Sequence, residues 1–534
     1  MATSSIASPV RSYQQYLQRL CPTLDLDSFS DLYRDIEPTQ WDAPESALDL
    51  NNFAVMALIE AEQSSGALRS MNLELALEAL QQGVSLQPSH PLCIAHLAIA
   101  RHLMGENAAA TQISFSTLLE LLQPAFHAAA APPLGLVYLP SGRADTHLPL
   151  LLQANGYQQA LLLLAEVLWR SQQVFYSPGG LRFLQLAVNL ISNSASLRLK
   201  LGLAKLMSGQ WEGLVDLQQA QQLAPADARV LQALYLTYRE LGRQDVAAFW
   251  LTAAQAAAPA SPDASAWQWS TLPIESLFTY VPTVDGIRLA VDASFRSIVT
   301  SVLLAEGDWF ESEMEFWRSQ LQPGMTVIDV GANVGVYTFS AAQQVGASGR
   351  VLAIEPFSSC VRCLQETCRS NQLSWVTVCA GAASDRPGTA RLSLHSSSEL
   401  NEVVRDESAE AGHPSGSSGN FEDITCFTLD NLVEQEQLQQ VDWLKIDAEG
   451  HEMQVLAGSD RLLSQFAPAI LYENIAGTSG SNTPVAELLL AKGYRLFRYQ
   501  PYLQTLIPIE AIDQLQGNLN IIALPPHHSL ICEC

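Results

Sequence analysis

The sequence predicts two domains of different class, an all-α solenoid of paired helices followed by an α/β doubly wound domain, and three observations carry that reading. Leucine, alanine and glutamine recur with helical periodicity through the first half, whereas short apolar runs ending at a glycine or an acid mark the second. Between them AAAPASPDASA, Ala256 to Ala266, is small, proline-bearing and uncharged apart from Asp263. A chain of 534 residues also exceeds what a single core usually serves. The expected boundaries are a helical domain over 1–255, a linker over 256–274 and an α/β domain over 275–534.

In the helical half, Gly209 and Gly242 lie 33 residues apart, as do Ala220 and Ala253, and Pro225 and Pro259 are separated by 34. That is the tetratricopeptide period to within one residue. LRLKLGLAKLMSGQWEGLVDLQQAQQLAP and VLQALYLTYRELGRQDVAAFWLTAAQAAAP therefore read as two helix-turn-helix units. An earlier unit is expected around Leu73 to Pro124 and paired helices from Leu150 to Gln173. The period is lost across Ala128 to Gly142, a loop-like segment containing PPLGLVYLPSG. Such units cover their apolar ends only by stacking, so a tetratricopeptide-like solenoid of about four to six units is expected. It would bind a protein partner, a second copy or part of a large acceptor, or else serve only as a helical cap.

The second half opens its chemistry at MTVIDVGANVGVYT, Met325 to Thr338. Val327, Ile328 and Val330 read as a buried parallel strand, and Gly331, Asn333 and Gly335 let the chain turn sharply into a helix near Val336. Twenty residues past Gly335 the run VLAIEP stops at Glu355, a carboxylate placed to accept the ribose hydroxyls of a nucleoside. Asn333 and Val336 occupy the second and third glycine places of a dinucleotide fingerprint, so a pyrophosphate is disfavoured. S-adenosylmethionine, a sulfonium nucleoside without phosphate, suits the turn better.

These residues open a longer resemblance. After Pro323-Gly324 and VIDVGANVGVYT come AIEP at Ala353–Pro356, GAASD at Gly381–Asp385, TLDNL at Thr428–Leu432 and LKIDAEGHE at Leu444–Glu452. In order and spacing the chain resembles the FkbM-type S-adenosylmethionine-dependent methyltransferases over roughly residues 275 to 525. The resemblance implies a Rossmann-like domain whose cofactor is lined by Asp329, Gly331, Asn333, Gly335, Glu355 and Asp385. It also implies an acid ahead of the first core strand. Glu311 stands about there, although Glu313 and Glu315 leave the register open. Asp329 would order the turn or meet the methionine ammonium, and Asp385, ending the run WVTVCAGAASD, would accept from the adenine amino group or else sit in a solvated turn.

Methyl transfer to oxygen is an in-line displacement that aligns the acceptor and removes its proton. Val441 to Ile446 reads as a core strand with Asp447 at its carboxyl end, so Asp447 and Glu449 are the leading acceptor-side carboxylates. Lys445, one of only four lysines, shares a strand face with Asp447 and would pair with it or position a polar acceptor. Glu473, closing APAILYEN, is a further candidate for the acceptor side. His451 is a possible base, though a solvent-facing histidine is the commoner outcome there. Metal is not required: the carboxylates admit it, while Cys360, Cys363 and Cys368 lack a partner pair to complete a zinc site. Cys532 and Cys534 form no prenylation box.

Fifty-four acids against 28 Lys plus Arg give a net charge of −26, which repels phosphate backbones and anionic lipid and disfavours nucleic-acid substrates. No signal peptide is evident in MATSSIASPVRSYQQYLQRL and no apolar run approaches about 18 residues, so a cytoplasmic protein with nine reduced cysteines is expected. RDESAEAGHPSGSSGN, Arg405 to Asn420, reads as a disordered loop or a lid. The combined expectation is an O-methyltransferase acting on a sugar or glycan hydroxyl or a secondary metabolite, its repeats recruiting partner or substrate. A catalytically inactive interaction scaffold and a nicotinamide-dependent oxidoreductase are the competing functions.

Overall fold

In the computed structural model, described for residues 9–22, 24–26, 44–123, 135–140, 148–153, 156–170, 178–395, 401–404, 421–476 and 480–532, the chain forms two compact units. The first comprises residues 1–201 with 500–505, and the second comprises 202–499 with 506–534. The lid or disordered loop expected over 405–420 lies outside the described residues.

The first unit is helical. Its helices are α1 (Pro9–Leu20), α2 (Ala47–Gln63), α3 (Gly66–Leu86), α4 (Pro91–Leu103), α5 (Asn107–Leu121), α6 (Leu148–Gln153), α7 (Gly156–Arg170) and α8 (Pro178–Leu190), with the first turns of α9 (Ala195–Met207). Local signals set their ends. Ser46 caps α2 by accepting from the Asp49 amide while Asp49 reaches back to the Ser46 amide, a reciprocal capping box. Pro91 opens α4, where its missing N–H is harmless, and His90 accepts from the Cys93 amide. Apolar faces of these helices bury Leu50, Val55, Leu58, Leu80, Leu92, Ile99, Leu163 and Leu164.

The second unit begins with α10 (Gly213–Leu223), α11 (Ala228–Glu240) and α12 (Gln244–Ala257), and the starts of α9 and α11 repeat at 33 residues as the sequence period predicts. These helices do not end a separate domain at 255. Buried Gln232 on α11 donates to the Thr279 hydroxyl (2.8 Å) and the Tyr280 carbonyl (2.9 Å), and Arg239 donates to the Ser276 carbonyl (2.8 Å). The compact units accordingly divide at 201/202. The expected linker 256–274 holds two short 3₁₀ helices, Ala258–Ala260 and Ser265–Thr271, with Trp267 and Trp269 buried. Two indoles leaving water outweigh the linker-like composition just before them.

Strands β1 (Phe278–Pro282) and β2 (Arg288–Asp292) form an antiparallel hairpin, followed by α13 (Ile298–Glu306) and α14 (Glu313–Gln320). Then come β3 (Thr326–Val330), α15 (Val336–Val345), β4 (Arg350–Glu355), α16 (Ser358–Asn371), β5 (Val376–Ala380), β6 (Ala382–Ala383), β7 (Gly388–Ser393), β8 (Glu402–Val404) and β9 (Phe421–Phe427). The chain continues through α17 (Leu429–Gln435), β10 (Trp443–Ile446), α18 (Glu452–Ala457), α19 (Asp460–Gln465), β11 (Ala469–Glu473), β12 (Ile475–Ala476), β13 (Gly480–Ser481) and α20 (Thr483–Ala491). It closes with β14 (Arg495–Gln500), β15 (Thr505–Pro508) and β16 (Asn520–Leu524).

The main sheet has eight strands in the order β15-β14-β16-β11-β10-β3-β4-β5. Strands β5, β4, β3, β10 and β11 are parallel, and β16 and β14 run against them. From β3 the chain steps outward through β4 to β5, then returns to lay β10 on the other side of β3. The order therefore reverses at β3/β10, and a crevice opens beyond the carboxyl ends of those two strands. β3 is buried at every position and β10 likewise, as strands covered on both faces should be. A second sheet, β6-β9-β7-β8, branches after β5.

Candidate active site

The turn after β3 is shaped by contacts that only glycine tolerates. Gly331 has φ +76°, and a Cβ there would stand 1.6 Å from the Asp447 carbonyl oxygen. The Gly331 and Ala332 amides both donate to the Ile354 carbonyl, and the Asp447 amide donates to the Val330 carbonyl, so β3, β4 and β10 are stitched together at one end. Asn333 holds φ +49° with its own side-chain oxygen accepting from the Val334 amide (2.7 Å). Gly335 has φ +98° and starts α15 against Phe339 and Leu364.

Glu355 is fixed by this turn. Its Oε2 accepts from the Asn333 amide and its Oε1 from the Phe357 amide, both at 2.8 Å. Burial pushes its carboxyl up to about 7, opposed by those two amides and reinforced by Asp329 and Asp447.

Asp329 is fully buried on β3. Its Oδ2 accepts from the Thr338 hydroxyl at 2.5 Å, while Oδ1 has no hydrogen-bond partner within the protein. Burial raises its pKa and Lys445 counteracts. Lys445, register partner of Asp329 across β10 and β3, is buried with Nζ 2.8 Å from Asp447 Oδ2 and 4.6 Å from the centre of the Tyr337 ring. Burial alone would lower its pKa; Asp447, Asp329 and Glu311 overcome it and keep the ammonium charged. The open question of the acid before β3 has a geometric answer: Glu311 Oε2 accepts from the Tyr337 hydroxyl (2.6 Å) and from Asn520 Nδ2 (2.9 Å). Glu313 opens α14 and Glu315 faces solvent.

Asp447, Glu449 and Glu473 each place a carboxylate oxygen within 4.8 Å of the others, a spacing at which a divalent cation finds ligands. Glu473 at the end of β11 is raised well above the usual carboxylate range, first by burial, then by Asp447, Glu449 and Glu452. Glu449 sits at φ +48°, and the turn that holds it is built by Glu452, whose Oε1 accepts from the Ala448 (3.0 Å) and Gly450 (3.1 Å) amides.

Asp385 stands apart from this group. β5 stops at Ala380, Gly381 (φ +151°) redirects the chain into β6, and Asp385 lies in the following turn, 3.3 Å from the exposed Arg386 guanidinium. His451, expected at the surface, is instead buried, its Nε2 2.9 Å from the Ser384 hydroxyl. The Cys360, Cys363 and Cys368 thiols lie along α16, and among the described residues they form no metal-ligating group. Tyr337, Asn520 and Glu452 belong to the site although their motifs or positions gave no role for them.

The donor set fits an adenosyl ligand with a cationic end. Each Glu355 oxygen holds one amide and keeps lone-pair capacity for a ribose hydroxyl, and the orphan Asp329 Oδ1 is a buried acceptor awaiting a donor.

Residues 329–496 match the family model described as Methyltransferase FkbM domain, so the C-terminal half carries a methyltransferase domain of that type. The match is narrower than the span of resemblance in the sequence. No curated protein matches the chain. Solved structures similar to parts of it include a methyltransferase FkbM from Methylobacillus flagellatus KT, at 16% identity over 42% of this chain and 53% of that one, with a TM-score of 0.24. They also include YrrB, a TPR protein with an unusual peptide-binding site (17% identity, 45% and 95% covered, TM-score 0.27), and MamA (15%, 36% and 92%, TM-score 0.25). Among the described residues no helix is long and apolar enough to cross a membrane.

Proposed function

We propose that the FkbM methyltransferase domain transfers a methyl group from S-adenosylmethionine to a hydroxyl oxygen of a sugar, glycan or secondary metabolite, in the cytoplasm, while the helical repeats of residues 1–255 recruit the acceptor or a protein partner. The observation that carries this reading is the pairing of Glu355 with the Asn333 and Phe357 amides beside the Gly331–Gly335 turn. It places a buried carboxylate at the end of β4, where a nucleoside ribose binds in this sheet topology.

When bound, the cofactor supplies an electrophilic methyl on a sulfonium. The chain's residues do the rest. Glu355 accepts the ribose hydroxyls; Asp329 accepts from the cofactor's amino group; Gly331, Asn333 and Gly335 hold the turn, with Glu311 braced against Tyr337 beside it. Asp385 in its turn after β6 meets the adenine amino group. On the acceptor side Lys445 anchors Asp447, and Asp447 and Glu449 orient the hydroxyl. Glu473, whose neighbours favour its protonated form, receives the hydroxyl proton as the oxygen–carbon bond forms.

Transfer of labelled methyl from S-adenosylmethionine to a panel of sugar and metabolite hydroxyls tests the reading. Glu473→Gln is expected to lower kcat about 10²-fold or more with cofactor affinity kept. Unchanged kcat in that variant would remove Glu473 from proton transfer, and labelling confined to amines would overturn O-specificity.

A further inference from the structure

Six consecutive residues of the first unit, Gly135 to Pro140, form neither helix nor strand and are nevertheless all buried. Buried backbone normally finds its partners in a ladder. Here side chains of three helices supply them. The Leu136 amide donates to Asn52 Oδ1 (2.9 Å), and Asn51 Nδ2 donates to the Leu136 carbonyl (3.1 Å). The Tyr13 hydroxyl bridges the amide (3.0 Å) and carbonyl (3.1 Å) of Val137, and the Tyr16 hydroxyl does the same for Leu139, at 2.9 Å each. The Tyr138 amide donates to His96 Nε2 at 3.0 Å.

Every amide from Leu136 to Leu139 is thus read by a side chain of α1, α2 or α4, and the Pro140 carbonyl accepts from Arg170 on α7 (3.3 Å). The network is internally consistent. His96 Nδ1–H donates to Asn51 Oδ1 (2.8 Å), which leaves Nε2 as acceptor and aims the Asn51 amide at Leu136. Selectivity sits in the side chains of the occupant. A Cβ at Gly135 would meet Leu92 Cδ1 at 2.7 Å, Leu136 and Leu139 are buried, and the Tyr138 ring stacks on Tyr16 with centroids 5.9 Å apart.

An extended strand held by its amides and carbonyls, through side chains that belong to sequence-distant helices, is the geometry of a peptide bound to a receptor. We propose that the helical unit is a receptor for an extended, uncharged segment of a partner protein with the pattern glycine, two aliphatics, an aromatic and an aliphatic, and that Gly135–Pro140 is its resident occupant, closing the receptor in cis. This deepens the recruiting role proposed above and is independent of the methyl-transfer chemistry.

The test uses the full chain with residues 135–140 replaced by Gly-Ser-Gly-Ser-Gly-Ser and a labelled, end-blocked peptide Gly-Leu-Val-Tyr-Leu-Pro. The replaced chain is expected to bind the peptide one to one, at least about tenfold more tightly than the unaltered chain. Asn52→Ala in that background is expected to weaken binding at least about tenfold, since it strands the first amide. A replaced chain with unaltered circular dichroism and no peptide binding at millimolar concentration overturns the proposal. So does doubling of mass with Leu136–Leu139 still protected, which would assign the cradle to a second copy. If the replaced chain does not fold, Tyr16→Phe in the intact chain decides. Faster amide exchange at 136–139, with α2 to α4 still protected, supports a displaceable occupant, and joint loss of protection makes the segment a structural spine and overturns it. Cofactor binding is expected to be unchanged in all of these variants, so failure here leaves the methyltransferase reading intact.

Discussion

The Asn333 amide, in a residue held at φ +49°, donates to Glu355 Oε2 at 2.8 Å across 22 residues of sequence. The turn and the carboxylate therefore position each other. Because burial lifts the Glu355 carboxyl to about 7, its charged form is the one that accepts ribose hydroxyls only above that pH. Cofactor affinity is expected to fall about tenfold per pH unit well below pH 7, and Glu355→Gln is expected to flatten that profile; titration calorimetry between pH 5.5 and 8.5 checks both.

Gly331 and Gly450 separate two costs of replacing a left-handed glycine. At Gly450, φ +87° with open space, alanine is expected to cost about 1–2 kcal/mol from backbone strain. At Gly331 the new Cβ collides with the Asp447 carbonyl, backbone that cannot swing aside, and a larger loss or failure to fold is expected. Urea denaturation of the two variants gives the comparison.

Lys445 is the cation among Asp447, Asp329 and Glu311. Lys445→Met leaves buried carboxylates without it and is expected to destabilise the fold by about 3–5 kcal/mol at neutral pH. The pH sign follows from Asp329 and Glu311, whose folded pKa values burial already raises. Without Lys445 they rise further, so the folded state binds more protons than the unfolded one. The variant should then recover stability as pH falls from 7 toward 5, measured by thermal melts across that range.

His96 gives the opposite dependence in the helical unit. Burial lowers its pKa to about 3 against 6.5 unfolded, so the unfolded state takes up the proton first. Its contribution is fully present above pH 6.5 and is lost as pH falls toward 3, with the Tyr138 amide losing its acceptor. Amide exchange at Tyr138 against pH is expected to accelerate over that window more than at neighbouring helical amides.

What was legible in the sequence was what chemistry places locally. The strand, the glycine turn and the acid ending the next strand lie within 30 residues, and the 33-residue recurrence marked the repeats because each is one local hairpin. Long-range partners left no such trace. Asn520 reaches Glu311 across 209 residues, and Tyr13 reaches Val137 across 124, so neither the site's Asn nor the buried strand-like segment could be separated from an ordinary loop. The expected linker failed for a different reason. Its composition was read up to Ala266, and the anchoring residues Trp267 and Trp269 come immediately after. Asp385 seemed to end the third strand because an apolar run conceals the break at Gly381, where the chain leaves one sheet for another.

The most direct measurement is calorimetric titration of the full chain with S-adenosylmethionine, alongside Glu355→Ala and with a reduced nicotinamide cofactor as competitor. The account predicts micromolar binding, lost about 10²-fold or more in the variant and untouched by the competitor. A folded chain that binds no S-adenosylmethionine, or one whose binding survives Glu355→Ala, would contradict it.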